Sequence, residues 1–281
     1  MTRVAFYGSH PLGTACLEAL SEHEGVDVVA VNTYPPGADT WWEGSLCERA
    51  EGLGYPVHHL DDDCALEYDV DYLLSVYYPN VVDADVLDHP DDCALNLHQA
   101  ELPRYRGSNV FTHSIMNARA DGYWRHGTTL HVMAPKVDAG DVIARRLVPI
   151  TETDTARDLY ERTCLASRAL FRARLPSIAD GTVADDATPQ SAFSGERYYY
   201  AKDSLDGLKE IPAGRLANPD PATAVETYDR IRALDFPPFQ PAYTTVGGRR
   251  VDLTSGEATP DATPAVPTVD EPRVGAGTGD E

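Results

Sequence analysis

Asn96 and His98 stand two residues apart in the run "CALNLH", and Asp138 stands in "VDAGDV". A strand's side chains alternate between its two faces, so Asn96 and His98 share one face. An amide, an imidazole and a carboxylate together suit acyl transfer to an amine. The amine attacks a carbonyl carbon and an oxyanion develops. The Asn96 amide can donate a hydrogen bond to it, and losing one such donor typically costs on the order of 10²–10³ in rate. His98 can stabilise the oxyanion when protonated, or pass a proton to the leaving nitrogen. Asp138 can orient His98, raise its pKa and take the amine's proton, directly or through water. The amine is itself the nucleophile, so no Ser or Cys is required.

These residues need a scaffold that gathers strand ends. "RVAFYGSHPLGTACLEALSEHEGVDVVAVNT" reads as strand, turn, helix and strand. "SLCERAEGLGYPV" repeats the helix-to-strand step, and "DYLLSVYY" and "CALNLH" are two further core strands. Alternating strands and helices predict an α/β fold, a Rossmann-like mostly parallel sheet with flanking helices, whose reacting groups collect at the strands' carboxyl ends. "SNVFTHSIMNA" predicts a helix, while "GTTLHVM" and "DVIARRLVPI" predict two strands that pair. If the first of these neighbours the Asn96 strand, Asp138 comes within reach of His98. "DTARDLYERTCLASRALFRARLPSIADG" predicts a long helix that buries Leu159, Thr163, Ala166 and Leu170 and stops near Gly181. "YGSHPLG" lacks the G-x-G-x-x-G pattern, which makes it a turn leading into a helix.

From about Asp185 the texture changes. A small α+β appendage is expected, with a helix near Thr223–Leu234 and a hairpin at Gly247–Gly248. Residues 255–281 are rich in Pro, Thr, Gly and acid and read as a disordered tail.

The net charge is −22, and Lys136, Lys202 and Lys209 are the only lysines. Such a surface repels nucleic-acid backbones; adaptation to high salt is the plainer account of it. No stretch approaches the ~20 apolar residues of a membrane helix. "MTRVAFYG" runs straight into a strand without a signal peptide's apolar stretch, so a cytoplasmic location is expected. The five cysteines are scattered and lack C-x-x-C spacing, which predicts reduced thiols and no metal site.

"NLHQAELPRYRG" followed by "HGTTLHVMAPKVDAGDVIARR" resembles the formyltransferase family that uses 10-formyltetrahydrofolate. The family's N-x-H, L-P-x-[YW]-R-G, G-[VT]-T-[LI]-H and D-x-G elements stand here in order. The resemblance spans about Arg3 to Val183, with a weaker echo in "RIRALDFPPFQPAY". It implies catalytic roles for Asn96, His98 and Asp138. It also implies contacts to the folate co-substrate at Tyr77, Tyr78, Val81, Leu102, Arg106, Gly140 and Asp141, and no metal. On this basis residues 1–184 form the catalytic domain, 185–254 a small C-terminal subdomain and 255–281 the tail. Within the family the chain looks most like the sugar-nucleotide N-formyltransferases of the amino-arabinose type. That likeness implies an amino-sugar nucleotide as acceptor and leaves a homodimer open. Methionyl-tRNA formyltransferase and a non-catalytic folate-binding regulatory protein are the alternatives, and tRNA is a partner only under the first.

The chain departs from the family where Ala100–Glu101 replaces Ser-Leu, which puts a charge beside the site, and where Pro79 replaces a basic residue. Arg104 is an anion holder or a loop anchor. His131 lines the cleft or serves the core, and His113 has a weaker claim. "RYYYAKDS" is expected to be a strand that packs the appendage.

Overall fold

The computed structural model describes residues 1–256; the tail predicted from residue 255 lies, but for its first two residues, outside them. The first half of the chain alternates as the sequence predicts: β1 (Thr2–Gly8), α1 (His10–Ser21), β2 (Val26–Thr33), α2 (Leu46–Gly52), β3 (Val57–His59) and β4 (Tyr72–Val76). A short α3 (Ala84–Leu87) precedes β5 (Cys93–His98), and β6 (Tyr105–Gly107) precedes α4 (Val110–Ala120). Then come β7 (Arg125–Val132), β8 (Val142–Pro149) and the long α5 (Ala156–Ala179). The C-terminal part holds β9 (Tyr198–Tyr200), α6 (Ala213–Leu216), α7 (Pro221–Ala233) and the hairpin β10 (Ala242–Val246) and β11 (Arg249–Leu253).

Seven strands form one sheet in the order β3-β2-β1-β4-β5-β7-β8. The pairs from β3 to β5 are parallel, and β7 and β8 add antiparallel at the far side. Both sheet faces are covered, which is why the central strands are apolar throughout. Val4 and Phe6 of β1 pack in one cluster with Leu17 of α1 and Phe171 of α5, while Ala5 and Tyr7 face a second cluster with Leu73 and Val86.

Helix α5 begins where the sequence predicts. The Thr155 side chain accepts from the Asp158 N–H, and the Asp158 carboxylate accepts from the Thr155 N–H at 2.9 Å. Leu159, Thr163, Ala166 and Leu170 are buried along it. The appendage is stitched to this region. Arg232 of α7 is fully buried and donates to the carbonyls of Thr151 and Asp154 at 3.1 and 2.8 Å. Ala233 shares a cluster with Ile115 and Leu159.

One expectation is corrected here. Tyr198–Tyr200 does not pack the appendage; it pairs in parallel with Tyr105–Gly107, inside the segment read as a loop. Both strands have three residues, too few for side-chain alternation to reveal them in sequence.

Candidate active site

Strand β5 divides its side chains between core and cleft. Leu95 and Leu97 enter the main core, while Asn96 and His98 project from the other face into a cavity of about 410 Å³. Strand β7 lies beside β5 with His131 opposite Asn96. The loop after β7 returns Asp138 to the same cavity. The sheet thus brings Asn96, His98, His131 and Asp138 together.

Their hydrogen bonds fix proton positions. A carbonyl only accepts, so His98 donates from Nε2 to the Tyr105 carbonyl at 3.0 Å. In the neutral ring this leaves the Nδ1 lone pair toward Asp138, whose Oδ1 lies 3.7 Å away. His131 donates from Nδ1 to the Val132 carbonyl at 2.8 Å. Burial pushes the pKa of His131 down, so the ring is neutral and its Nε2 accepts from Asn96 Nδ2 at 3.1 Å. That bond orients the Asn96 amide and leaves its second N–H for another acceptor. Asp138 Oδ1 lies 3.7 Å from both imidazoles, outside hydrogen-bond range but close enough to stabilise a positive ring.

The Asp138 backbone is left-handed, with φ of 51°. Two bonds hold it there: Gly107 N–H donates to Oδ2 at 2.8 Å, and Gln190 Nε2 donates to the Asp138 carbonyl at 2.7 Å. Gly107 has φ of +85°, and a Cβ on it would collide with the Tyr200 carbonyl. A Cβ on Gly140 would likewise strike the Val132 carbonyl, which explains why the turn after Asp138 needs glycine.

Tyr77, Tyr78 and Val81 line the cavity, as do Val82, Leu87, Met133 and Val137. Tyr77 stacks on His10 with ring centroids 4.2 Å apart. The Tyr78 hydroxyl donates to Asp62 and accepts from Asn32. Val81 is exposed at the rim. A largely apolar cavity with a few convergent polar groups suits a flat heterocycle, and its size falls in the ~300–1,000 Å³ range of small-molecule sites.

Four residues expected at the folate are not among those that line this cavity. Leu102 is fully buried, because an apolar side chain beside the β7 backbone is held in the core; its N–H donates to Thr129 Oγ1 at 3.0 Å. Gly140 gives its carbonyl to Gln190 at 2.8 Å, and Asp141 gives its carbonyl to the Val132 N–H. Arg106 is half-buried with its Nε lacking a partner among the described residues. Arg104 is a loop anchor: it is buried, ion-paired with Asp121 and set over the Tyr123 ring at 4.2 Å. Glu101 does not put a charge in the cleft, since its buried carboxylate accepts from the Tyr123 hydroxyl and faces Arg145. His113 stacks on Tyr200 at 3.5 Å and bonds Ser204. Asn109, Phe111 and Ser75 also line the cleft and carry no distinctive sequence signal.

Residues 59–175, which include the four convergent residues, match the family model described as formyl transferase. Solved structures share the fold across nearly the whole chain. A 4-N formyltransferase from Francisella tularensis has a TM-score of 0.71 at 18% identity, covering 92% of this chain and 99% of that one. The N-formyltransferase of Helicobacter canadensis, solved with folinic acid and dTDP-3-aminofucose, has a TM-score of 0.68 at 21% identity, covering 88% and 85%. A likely sugar N-formyltransferase from Mycobacterium tuberculosis has a TM-score of 0.68 at 22% identity, covering 92% and 100%. The segment that carries the site, residues 59–175, is thus the part of the chain that matches the formyl transferase family.

Proposed function

We propose that this chain transfers a formyl group from 10-formyltetrahydrofolate to the amine of a nucleotide sugar. One observation carries the reading: Asn96, His98 and Asp138 meet at one cavity, with the Asn96 amide held by His131 and the Asp138 carboxylate beside the His98 ring. The family match supports formyl as the group, and the ligands of the Helicobacter enzyme support folate and a nucleotide sugar as the substrates.

The folate brings the electrophilic formyl carbon, and the apolar wall of Val81, Val82 and Met133 would take its ring system. The acceptor's lone pair forms the new C–N bond while the formyl oxygen takes up charge. Asn96 donates its free N–H to that oxygen, held in place by His131. His98, protonated at Nδ1 beside Asp138, donates to the same oxygen. The attacking nitrogen's proton passes to Asp138, directly or through water, and the departing folate nitrogen takes one proton back from the site, through His98, as its bond to the formyl carbon breaks; Asp138 then returns its proton to His98. Each reaction thus ends with one formamide, one tetrahydrofolate and no net proton change on the protein.

Incubation with 10-formyltetrahydrofolate and a panel of UDP- and dTDP-linked amino sugars tests this by mass spectrometry. A gain of one formyl unit on an amino sugar is expected. Transfer only to charged initiator tRNA, or folate binding without transfer to any amine, would replace the proposal with one of the alternatives above.

A further inference from the structure

Tyr77 stands where two cavities meet. It lines the first and also a second, of about 380 Å³, that has Trp41 on its rim. Its backbone is left-handed, with φ of 57°, a conformation that bulky side chains rarely adopt. His10, whose ring stacks on it, is left-handed too, with φ of 69°. Strained backbone of this kind persists only where its surroundings hold it, and it gathers at functional sites.

Here the surroundings are specific. The Ser9 N–H donates to the Val76 carbonyl at 3.1 Å, and the Ser9 hydroxyl donates to the Tyr77 carbonyl. The Tyr77 hydroxyl is buried beside Cys164 and Tyr160. His10 is 2% exposed, and burial keeps its ring neutral. Its Nδ1 accepts from the Leu12 N–H at 3.1 Å, so Nε2 carries the proton and donates to the Tyr160 hydroxyl at 2.7 Å. Trp41 and Trp42 close on the same ring, with centroids 5.4 and 5.2 Å away. The imidazole cannot turn without breaking these bonds. Its plane lies 19° from that of Tyr77, so it covers one face of the tyrosine ring and leaves the rest to the cavities. His10 is not among the residues that line the first cavity, so its effect on a ligand there passes through Tyr77.

We propose that His10 is a positioning residue, which fixes the Tyr77 ring as the wall against which the folate packs. The role rests on the formyl-transfer reading for the identity of the ligand, but its test needs no transfer.

Folinic acid, a stable formyl-folate, is titrated calorimetrically into the full chain and its variants. Asparagine tolerates a left-handed backbone and can bond the N–H two residues on, as His10 bonds Leu12, but it offers no ring. His10→Asn is therefore expected to weaken binding roughly three- to tenfold, the scale of one aromatic pair. Tyr77→Ala is expected to weaken it at least as much, and adding His10→Asn to Tyr77→Ala to weaken it no further. His10→Phe keeps a stacked ring and gives up both hydrogen bonds. It is expected to melt at a lower temperature yet bind within about twofold of the wild type. Should His10→Asn not fold, Tyr160→Phe, which removes the acceptor of His10 Nε2, is expected to weaken binding about threefold. Affinities indifferent to these changes at His10 and Tyr160, or losses from His10 and Tyr77 that simply add, overturn the role. Formyl transfer to an amine with folate binding indifferent to His10 overturns the role and leaves the transfer reading standing. His10-dependent folate binding without transfer to any amine upholds the role and removes the transfer reading. A wild-type chain that binds no folinic acid overturns both.

Discussion

Gly107 and Asp138 lie 31 residues apart, and the backbone N–H of the first donates to the carboxylate of the second at 2.8 Å. This bond aims the other Asp138 oxygen at His98 and His131, each 3.7 Å away. Gly107 is in turn the last residue of β6, paired with Tyr200 of β9. The carboxylate of the proposed site therefore depends on a three-residue strand pairing outside the main sheet.

Gly107→Ala tests that dependence. The added methyl would collide with the Tyr200 carbonyl, at a φ of +85° that alanine rarely adopts. Strain of this kind costs about 1–3 kcal/mol. A lower melting temperature is expected, with kcat falling at least about tenfold as Asp138 loses its donor. Alanine at 107 with unchanged kcat would show that Asp138 is positioned by other contacts.

Asp138→Asn keeps the shape of the side chain and removes its charge. The loss of the negative charge lowers the support for a protonated His98 and removes the proton acceptor. We expect kcat to fall about 10²–10³-fold with little change in the acceptor's KM, the pattern of an interaction made in the transition state. His98→Ala is expected to do the same. A rise in KM alone, read from steady-state assays of either variant, would assign these residues to binding.

Asp154 poses a question of stability. Its carboxylate is buried and takes two hydrogen bonds from Arg162, at 2.7 and 2.9 Å, and one from the Thr151 N–H at 2.7 Å. Burial alone would raise its pKa; the bonds from Arg162 and Thr151 outweigh that and hold it below the usual range. Asp154→Ala takes one of the hydrogen bonds named above from each arm of the buried Arg162 guanidinium and leaves it the Pro149 carbonyl. Breaking one side of a buried pair costs about 3–5 kcal/mol. Urea unfolding of Asp154→Ala, Arg162→Met and the double variant should show the double variant costing less than the two singles summed. Strict additivity would mean that the pair does not act as a unit.

Much of this arrangement is legible in the sequence. The alternation in "CALNLH" puts Asn96 and His98 on one face, and the approach of Asp138 to His98 is expected if the "GTTLHVM" strand lies beside the Asn96 strand, as β7 does. Both follow from the two-residue period of strands and from sheet order. The outward contacts of the motif were less legible. Leu102, Arg106, Gly140 and Asp141 belong to motif segments, but spacing does not tell which way a residue faces, and these four are not among the residues that line the cavity. His131 gave an equivocal signal because a buried histidine reads alike as core or cleft; only its register opposite Asn96 decides. The β6–β9 pairing and the Trp41 rim arise from contacts between distant segments that local periodicity does not encode.

The buried histidines predict how stability depends on pH. Burial pushes His10 and His126 to about 3 and His113 to about 4, and lowers His131 as well. In the unfolded chain each titrates near ~6.5. Between those values the unfolded state holds more protons than the folded one, so stability rises with pH there and falls as acid is added. The contribution of these rings is complete above about pH 7 and lost progressively toward pH 4. From pH 7 to pH 5.5, above the carboxylate range, the urea midpoint should fall steadily. His113→Gln should reduce the slope by less than one proton at pH 7 and by nearly one at pH 5.5, because glutamine can still bond Ser204 but does not titrate. A midpoint that stays level across that interval would mean that these rings take up protons in the folded protein, which their burial opposes.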